Sequence, residues 1–495
     1  MTNPSYLDLL RSVEALRNTV RQEGGALYRR WSRVIGNRRM APAVCNLACY
    51  LALRRHDISD LQAALAVRGL SSLGRSEGHV MASLDTLHAA LARISGEEGA
   101  VNPPPGRMRA GRNALRRGQQ LFFGPDVIGA STRIMVTLPT EAASDRTFVR
   151  SLLEAGMTCA RINCAHDDAA TWRAMAEAVR TEAASLGRVC RVLMDVGGPK
   201  CRIETVHAAG KVRVFRGDQM VLVRDLSRAL ASDQVIVTIS YPEIIDDLAP
   251  GREVWIDDGK IGLRITGVSD GRVELEVFRA REKGEKLRPE KGVNFPGTEL
   301  RLSPLTEKDL RDLDVIVDVA DSVGFSFVQR PEDLMLLHGE LARRRPDRAP
   351  LPVILKIETP LAVRNLPVLI VQAMARGPVA VMIARGDLAV ELGFARMSEI
   401  QEEIMWLAEA AQVPVVWATQ VLDSPVSDGS PSRAEATDAA MAQRAECVML
   451  NKGPFLPDGI RFLADVLCRM DRHQAKKSPR FGLLHSWPIE DLGLL

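Results

Sequence analysis

Two charged residues interrupt an apolar run in the segment VILKIET. Lys356 and Glu358 stand two positions apart, so in a β-strand their side chains share one face. A strand buried on both faces is otherwise apolar, because an unpaired buried charge is costly. The pair therefore indicates either a chemical site at the carboxyl end of a strand or an internal ion pair that supports the sheet.

Polar residues end four other apolar runs in the same way. Where such runs are parallel strands of one barrel, their carboxyl ends meet at one rim, and barrel active sites are built there. The residues concerned are Arg161 and Asn163 in CARINCAH, Asp195, Lys200 and Arg202 in RVLMDVGGPKCR, Arg385, Gly386 and Asp387 in VMIARGDL, and Thr419 in VVWATQ. Arg385 has an alternative role, which is to brace Asp387 rather than to contact a substrate.

The residue types at this predicted rim suit phosphoryl chemistry. Glu358 and Asp387 are hard oxygen donors of the kind that bind Mg2+ together with water and substrate oxygens. Arg161, Lys356 and Arg202 would surround the ion with positive charge, and phosphoryl transfer depends mainly on positioning and charge neutralisation. The Walker pattern G-x-x-x-x-G-K-[ST] is missing from the sequence, so a nucleotide would be held in another way.

Short apolar runs dense in Val, Ile, Leu and Met alternate with longer segments of helical period. Continuous apolar strands separated by helices are typical of a parallel sheet covered on both faces. Eight such runs predict an α/β fold, the (β/α)8 TIM barrel. The runs are 133–139, 159–165, 191–196, 324–329, 353–358, 379–384, 415–419 and 447–450.

Other segments of the chain follow different patterns. The long interval after the third run alternates apolar and polar residues, which predicts an inserted β-rich domain. The N-terminal region has helical spacing, and the stretch GAVNPPPGRMRAGRNALRRG predicts an exposed linker. The predicted division is a helical region at 1–98, a linker at 99–125, a barrel at 126–202 and 293–475, an inserted β-rich domain at 203–292 and a tail at 476–495.

Composition limits the classes of partner. The 495 residues contain 65 Lys and Arg against 62 Asp and Glu, a formal net charge of +3. So small a net charge disfavours a protein that coats nucleic acid or an anionic membrane, and we expect neither partner. The sequence lacks an apolar run of transmembrane length, a secretory signal pattern and C-x-x-C spacing among its eight cysteines, which favours free thiols in the cytoplasm.

The motifs around these residues resemble those of the pyruvate kinase family. They occur in the family's order and cover about residues 131 to 470, including the inserted domain. The matching segments are MTCARINCAH, LMDVGGPKCRI, VWIDDGKIGL, KGVNFPG, LTEKDL, SFVQRPEDL, LKIET, ARGDLAVELG, WATQVLDS, PSRAEATDAA and ECVML.

The resemblance implies a mobile lid that closes over a site where phosphoenolpyruvate passes its phosphoryl group to ADP, giving pyruvate and ATP. Lys356 matches the lysine that neutralises the transferring phosphoryl, and Arg161 matches a contact to the phosphate of phosphoenolpyruvate. Thr419 matches the threonine near the face where enolpyruvate is protonated. The other matches are Glu358 and Asp387 to the ligands of Mg2+ (or Mn2+), Gly386 to a backbone contact near the substrate, and Asn163, His166 and Arg202 to the nucleotide and phosphate side.

The family's potassium site is incomplete in this sequence. Its Asn, Ser, Asp and Thr-carbonyl positions read Asn163, Ala165, Asp195 and Val196, so one hydroxyl ligand is missing. Lys200 stands where potassium-dependent members carry glutamate. Because a lysine ammonium can take the space and charge of K+, we predict activity without K+.

Further departures from the family leave alternatives open. Gly197 replaces a usual lysine, Gln329 replaces a usual arginine, and Asn451 begins an Asn-Lys-Gly stretch in place of Ser-Gly-Glu. One alternative is a catalytically weak relative with a regulatory or scaffold role, and another is a different Mg2+-dependent barrel enzyme for phosphoenolpyruvate or a 2-oxo acid, such as a lyase. The family's C-terminal domain has no counterpart after Arg469, so we expect a homo-oligomer in which the N-terminal region supplies assembly or regulatory contacts.

Overall fold

The N-terminal part of the chain is helical, as predicted. The computed structural model of the protein describes residues 4–35, 40–97, 99–127, 129–208, 212–226, 234–475 and 478–479. Over these residues, no helix combines the length and apolar character needed to cross a bilayer. The first helices are α1 (Tyr6–Trp31), α2 (Ala41–Leu53), α3 (Ser59–Ala66) and α4 (Val80–Ile94), with a 3-10 turn at Glu77–His79.

Local sequence explains where α1 begins and which face it buries. Ser5 Oγ accepts a hydrogen bond from the amide of Asp8, and the Asp8 carboxylate accepts one from the amide of Ser5. This capping box satisfies amide groups that the first helical turn leaves without partners. Leu9, Val13 and Val20 recur at helical spacing and are buried against the neighbouring helices.

The predicted linker at 99–125 contains a helix, α5 (Pro105–Phe123), so the prediction of an exposed linker is wrong there. Proline suits the first helical turn, where its missing amide is not needed. Leu115, Gln119 and Phe123 recur on one face and are buried, whereas the arginines of α5 are exposed. Arginine is a good helix former, and the Pro-Gly-Arg composition concealed this amphipathic pattern.

The first part of the barrel follows α5. It contains strands β1 (Arg133–Thr137), β2 (Cys159–Asn163) and β3 (Arg191–Asp195), with helices α6 (Arg146–Ala155) and α7 (Ala169–Ser185) between them and a 3-10 turn at Thr140–Ala143. β2 pairs in parallel with both β1 and β3, and Asn163 lies beside Asp195 in the register. The carboxyl ends of β2 and β3 are therefore adjacent.

A β-rich domain is inserted after β3, as predicted. Its strands are β4 (Ile203–His207), β5 (Arg213–Val214), β6 (Gln219–Val223), β7 (Val235–Ile239), β8 (Glu253–Ile256), β9 (Ile261–Ser269), β10 (Arg272–Arg279), β11 (Glu285–Lys286) and β12 (Val293–Asn294), with a 3-10 turn at Pro242–Asp247. The main sheet has the order β12-β8-β9-β10-β6-β7-β4. Its apolar residues form a core separate from that of the barrel. We call this domain the lid.

The chain then returns to the barrel. The elements are α8 (Glu307–Val319), β13 (Ser322–Phe325), α9 (Pro331–Arg344), β14 (Val353–Ile357), α10 (Pro360–Arg376), β15 (Val379–Ala384), α11 (Arg385–Leu392), α12 (Phe394–Ala410), β16 (Val415–Ala418), α13 (Asp423–Asp428), α14 (Arg433–Ala442), β17 (Cys447–Leu450) and α15 (Leu456–Asp471). Two short strands follow, β18 (Gln474–Ala475) and β19 (Ser478–Pro479). Apart from residues 478–479, the predicted tail at 476–495 lies outside the described residues.

The described strands confirm the predicted TIM barrel. They close in the order β1-β17-β16-β15-β14-β13-β3-β2, and neighbouring strands are parallel. The fourth predicted run, 324–329, is displaced, because β13 is Ser322–Phe325 and the chain turns at Phe327, whose φ is 54°. All carboxyl ends meet at one rim, which is where the polar residues were predicted to converge.

Helix α5 closes the opposite end of the barrel. Phe122 and Phe123 pack with inward-facing residues of the strands, such as Met135 and Ile354. Gln119 Nε2 donates to the carbonyl of Glu446, which precedes β17, at 2.8 Å. This end of the barrel is therefore filled by two aromatic rings rather than open to water.

We expect Phe123→Ala to lower the free energy of unfolding by about 3–5 kcal/mol, because truncating a fully buried aromatic side chain leaves a cavity. Urea unfolding followed by tryptophan fluorescence measures this loss. Leu121 lies on the same helix and is 40% exposed, so Leu121→Ala is the control and should change stability by less than about 0.5 kcal/mol. Equal losses in the two variants would contradict the role of the ring in closing the barrel.

The N-terminal helices dock on the side of the barrel at α12. Asn46 Nδ2 donates to the carbonyl of Ala410 at 2.8 Å and to that of Glu77 at 2.7 Å. The guanidinium of Arg54 lies 5.0 Å from the ring centroid of Trp406, within cation–π range. These contacts join the N-terminal region to the barrel wall, away from the rim.

Candidate active site

Lys356 and Glu358 lie together at the carboxyl end of β14. Lys356 Nζ is 3.2 Å from Glu358 Oε1 and 3.6 Å from Asp195 Oδ2, and it donates to Ser326 Oγ at 2.6 Å. The two residues are 8% and 3% exposed, so solvent screens these charges little. The ammonium is thus a fixed positive charge whose carboxylate neighbours come from two strands.

Arg161 extends this charge network across the rim. Its Nε donates to Asp195 Oδ2 at 2.8 Å, and one terminal nitrogen donates to Thr137 Oγ1 at 2.9 Å. Burial raises the pKa of Asp195, but Arg161 and Lys356 outweigh it, so the net pKa lies below its usual value. Asp195 therefore stays ionised and holds the arginine and the lysine side by side.

Glycine is required beside Asp195. A Cβ atom at Gly324 would lie 1.8 Å from Asp195 Oδ1. That oxygen is buried and has no hydrogen-bond partner among the described residues. Any larger residue at this position of β13 would displace the carboxylate that organises the two cations.

The start of α11 brings the second predicted metal carboxylate to the rim. Asp387 Oδ1 accepts a hydrogen bond from Lys200 Nζ at 2.8 Å. The amide of Gly386 donates to Thr419 Oγ1 at 2.6 Å. Thr419 has a φ of 63°, a left-handed conformation that a β-branched residue rarely adopts, and such strain is concentrated at functional sites.

Arg385 braces this corner of the site. Its two terminal nitrogens contact the two oxygens of Asp438 at 2.6 and 2.8 Å, and it also donates to the carbonyls of Ala418 and Thr419. Its guanidinium lies 4.7 Å from the ring centroid of Trp417. All these contacts fix the turn before Asp387, which is the geometry that the alternative, bracing role of Arg385 requires.

Glu358 and Asp387 suit a divalent ion that has few protein ligands. Burial raises the pKa of Glu358, Lys356 lowers it and Asp387 raises it again, so the two carboxylates lie within electrostatic reach of each other. The described residues contain no group of three or more His, Cys, Asp and Glu side chains placed to hold a metal. Mg2+ commonly takes one or two carboxylates and completes its coordination with water and substrate oxygens, so this donor pair fits its preference.

The residues predicted for the nucleotide side lie at the end of β2 (Asn163), on the loop after it (His166) and on the loop after β3 (Arg202). Asn163 Oδ1 accepts from the amide of Ala165 at 3.2 Å, and Arg202 donates to the carbonyl of Glu290 at 2.8 Å. Burial lowers the pKa of His166, and the nearby charges of Lys452 and Arg202 lower it further. This side of the rim is therefore electropositive.

The structure places Lys200 beside Asp387, one of the two predicted metal ligands. Within the described part of the chain, its hydrogen-bond partner is Asp387, so it contacts neither Asn163 nor Asp195. The carbonyl of Val196 accepts a hydrogen bond from Ser326 Oγ at 2.7 Å. The ammonium thus makes no described hydrogen bond or ion pair with the predicted ligands of the monovalent-cation region.

Several residues of the site were missed by the sequence reading. Ser326 links Lys356 to the Val196 carbonyl, and Thr137 holds Arg161. Hydroxyl residues inside or just after apolar runs have no pattern that separates them from ordinary core residues. Asp309 was also missed, although it carries a signal: it forms a capping box with Thr306 and accepts hydrogen bonds from the amides at the start of the loop after β3.

The departures at Gly197 and Gln329 are accommodated in the structure. The amide of Gly197 donates to Asp309 Oδ1 at 2.8 Å. Gln329 Oε1 accepts from Thr359 Oγ1 at 3.2 Å. Neither position contacts Lys356 or the two metal carboxylates in a described hydrogen bond, so the central charges are arranged without them.

Comparison with known proteins agrees with this geometry. A family model described as the pyruvate kinase barrel domain matches residues 130–453. A pyruvate kinase of Mycobacterium intracellulare is 34% identical over 357 residues, which cover 70% of this chain and 71% of that protein. Pyruvate kinase 2 of Synechocystis sp. is 32% identical over 355 residues, or 70% of this chain and 58% of that protein. The chain therefore belongs to the pyruvate kinase family.

Proposed function

We propose that this protein transfers the phosphoryl group of phosphoenolpyruvate to ADP, giving pyruvate and ATP, as a cytoplasmic enzyme of glycolysis. The observation that carries the proposal is the cluster of Lys356, Glu358, Asp387 and Lys200 at one rim of the barrel, beside Arg161. Two carboxylates for a divalent ion and several fixed cations provide the charge neutralisation that phosphoryl transfer needs.

In the proposed reaction, the bond between the enol oxygen and phosphorus breaks while a β-phosphate oxygen of ADP bonds to phosphorus. Arg161 binds the phosphate of phosphoenolpyruvate, and Lys356 balances the negative charge of the phosphoryl group in transit. The enolate then takes up a proton at its methylene carbon on the face near Thr419. Glu358 and Asp387 would hold Mg2+ or Mn2+, which supplies further charge neutralisation when bound.

The lid and the nucleotide-side residues favour phosphoryl transfer over a lyase reaction. Asn163, His166 and Arg202 lie at the rim near the start of the lid, where the phosphates of ADP would add negative charge to the electropositive surface. An assay coupled to lactate dehydrogenase tests the proposal, because pyruvate formation then requires phosphoenolpyruvate, ADP and Mg2+ together. Absence of ADP-dependent pyruvate formation by the purified protein would refute it.

We also propose that the reaction does not require K+. Burial lowers the pKa of Lys200, but Asp387 outweighs this effect, so the net pKa is above its usual value. The ammonium therefore stays charged near neutral pH and provides a permanent monovalent cation in the site. The same rate is expected with K+ and with a tetraalkylammonium salt of equal ionic strength, and strong activation by K+ would reject this role.

The variant Lys200→Glu tests whether the Lys200 ammonium is what makes the reaction independent of K+. The substitution removes the cation and places a carboxylate near Asp387, so the rate without K+ should fall at least roughly tenfold and recover in part when K+ is added. Lys286→Glu, at an exposed position of the lid, is the control for a general effect of charge reversal. The same K+ response in both variants would contradict a specific role for Lys200.

A further inference from the structure

Helix α11 connects the metal carboxylate to the lid. Asp387 lies in its first turn, and Glu391 lies one turn later on the same helix. The Nδ2 atom of Asn294, in strand β12 of the lid, donates to Glu391 Oε1 at 3.1 Å. The β8–β9 turn of the lid faces the same helix, because a Cβ placed on Gly259 would lie 3.6 Å from Val390 Cγ2. One face of this short helix therefore touches the lid, and its first turn carries a metal ligand.

Asn294 is part of the lid, so its position relative to α11 changes when the lid moves. It is 8% exposed and lies opposite Trp255 in the pairing of β12 with β8, so it moves with the main sheet of the lid. It is also where the chain leaves the lid to return to the barrel. Within the described residues, Glu391 has no ion-pair partner. Its carboxylate interacts with the side-chain amide of Asn294 and with the backbone amide of Phe295, the next residue of the lid connection.

The pKa of Glu391 is unusually high for a glutamate on a helix at the surface of the barrel. Burial raises its pKa to about 7, the hydrogen bond from Asn294 lowers it, and the negative charge of Asp387 raises it again. The carboxyl group therefore exists in both forms near neutral pH, and either form can accept the hydrogen bond from Asn294. Glutamine has the same shape and keeps this acceptor, whereas leucine keeps only the bulk.

We propose that Glu391 is a positioning residue that couples the lid to the metal ligand Asp387 through its hydrogen bond with Asn294. The proposal rests on the proposed function, both in taking Asp387 as a metal ligand and in its final step, in which lid closure over a nucleotide adjusts the metal site. Helix α11 has eight residues, and the contact of Arg385 with Asp438 fixes its first turn. A displacement of Glu391 by the lid would therefore change the orientation of the helix and with it the position of the Asp387 carboxylate. Metal binding and lid position then influence each other by the same free energy.

The experiment measures Mn2+ binding to the full-length protein by isothermal titration calorimetry without substrate. Glu391→Leu should weaken binding by roughly tenfold, the low end of the cost of removing a residue that orients a metal ligand. Glu391→Gln should stay within about twofold of the unmodified protein, because it preserves the hydrogen bond. Glu399→Leu, at an exposed position of α12, is the control for replacing a glutamate on a helix. Unchanged Mn2+ binding in Glu391→Leu would overturn the proposal.

Asn294→Ala tests the same hydrogen bond from the side of the lid. It should weaken Mn2+ binding in the same direction as Glu391→Leu, which also removes the interaction with the Phe295 backbone amide. The double variant should be no worse than Glu391→Leu alone, because that substitution already removes the contact with Asn294. Fully additive losses would overturn the coupling. Hydrogen exchange over 253–256 and 293–295 should speed up in both variants while their melting temperatures stay close to that of the unmodified protein. Because none of these readouts needs turnover, they stand or fall separately from the coupled assay.

The kinetic readout distinguishes positioning from a loss of folded protein. Glu391→Leu should raise the KM for ADP and the Mg2+ concentration for half-maximal rate by roughly tenfold, while kcat at saturating Mg2+ and ADP falls much less. A fall in kcat alone, with both constants unchanged, would contradict the coupling. Rescue by Glu391→Gln should restore both constants together.

Discussion

Lys356→Met should reduce kcat for phosphoryl transfer from phosphoenolpyruvate to ADP by roughly a hundred- to a thousandfold, the cost of removing one donor that stabilises charge in a transition state. Its ammonium lies 3.2 Å from Glu358, a predicted ligand of the divalent ion, and 3.6 Å from Asp195. Methionine keeps the length of the side chain and removes only its charge and donor hydrogens. The lactate-dehydrogenase-coupled assay at saturating substrates measures the effect.

The variant should still fold, because the carboxylates around Lys356 keep other partners. Asp195 retains Arg161, and Glu358 Oε2 still accepts from the amide of Phe327 at 2.6 Å. Lys286→Met, at an exposed position of the lid, is the matched control and should keep the full rate. Equal rates for Lys356→Met and the unmodified protein would mean that the site is misassigned or that the activity belongs to a contaminant.

Glu358→Gln should raise the Mg2+ concentration for half-maximal activity by at least roughly a hundredfold. Removing a residue that only orients a ligand costs about 10- to 100-fold in metal affinity, and Glu358 is expected to be a ligand itself. Glutamine keeps the shape of the side chain and can still accept from the Phe327 amide, so the loss reports the missing charge. Rates measured across a range of Mg2+ concentrations and calorimetry with Mn2+ check this prediction.

A glutamate outside the site provides the comparison. Glu332 is exposed in α9, the helix that follows the neighbouring strand, so Glu332→Gln makes the same chemical change without touching the rim. It should leave both metal affinity and kcat unchanged. If Glu358→Gln showed the same metal dependence as Glu332→Gln, the divalent ion would have to bind elsewhere.

The barrel could be predicted because its strands are apolar on both faces, a pattern that is local in sequence. β15 and β17 have the predicted bounds, and β1, β2, β3, β14 and β16 end one or two residues before the predicted positions. β13 was displaced because the turn at Phe327 depends on the Glu358 carboxylate that accepts its amide, 31 positions away. The strand therefore ends earlier than the apolar pattern predicts, because a tertiary contact between Phe327 and Glu358 determines where the chain turns.

The error in the linker has a related cause. Proline, glycine and arginine in 99–118 are typical of exposed linkers, and only the burial of Leu115, Phe122 and Phe123 shows the face that α5 presents to the barrel. These side chains are buried because the barrel has an open end that needs filling. The open end exists only in the assembled barrel, so the local composition of 99–118 does not indicate that α5 covers it.

The amino-acid sequence by itself determined the strand order, the insertion after β3 and the convergence of Lys356, Glu358 and Asp387, since the carboxyl ends of parallel strands must share one rim. Only the tertiary structure decided which groups touch there. Lys200 pairs with Asp387 across 187 positions, and Asn294 meets Glu391 across 97. Such partners depend on how the lid rests on the barrel, because periodicity specifies the buried face of an element but not the element that covers it.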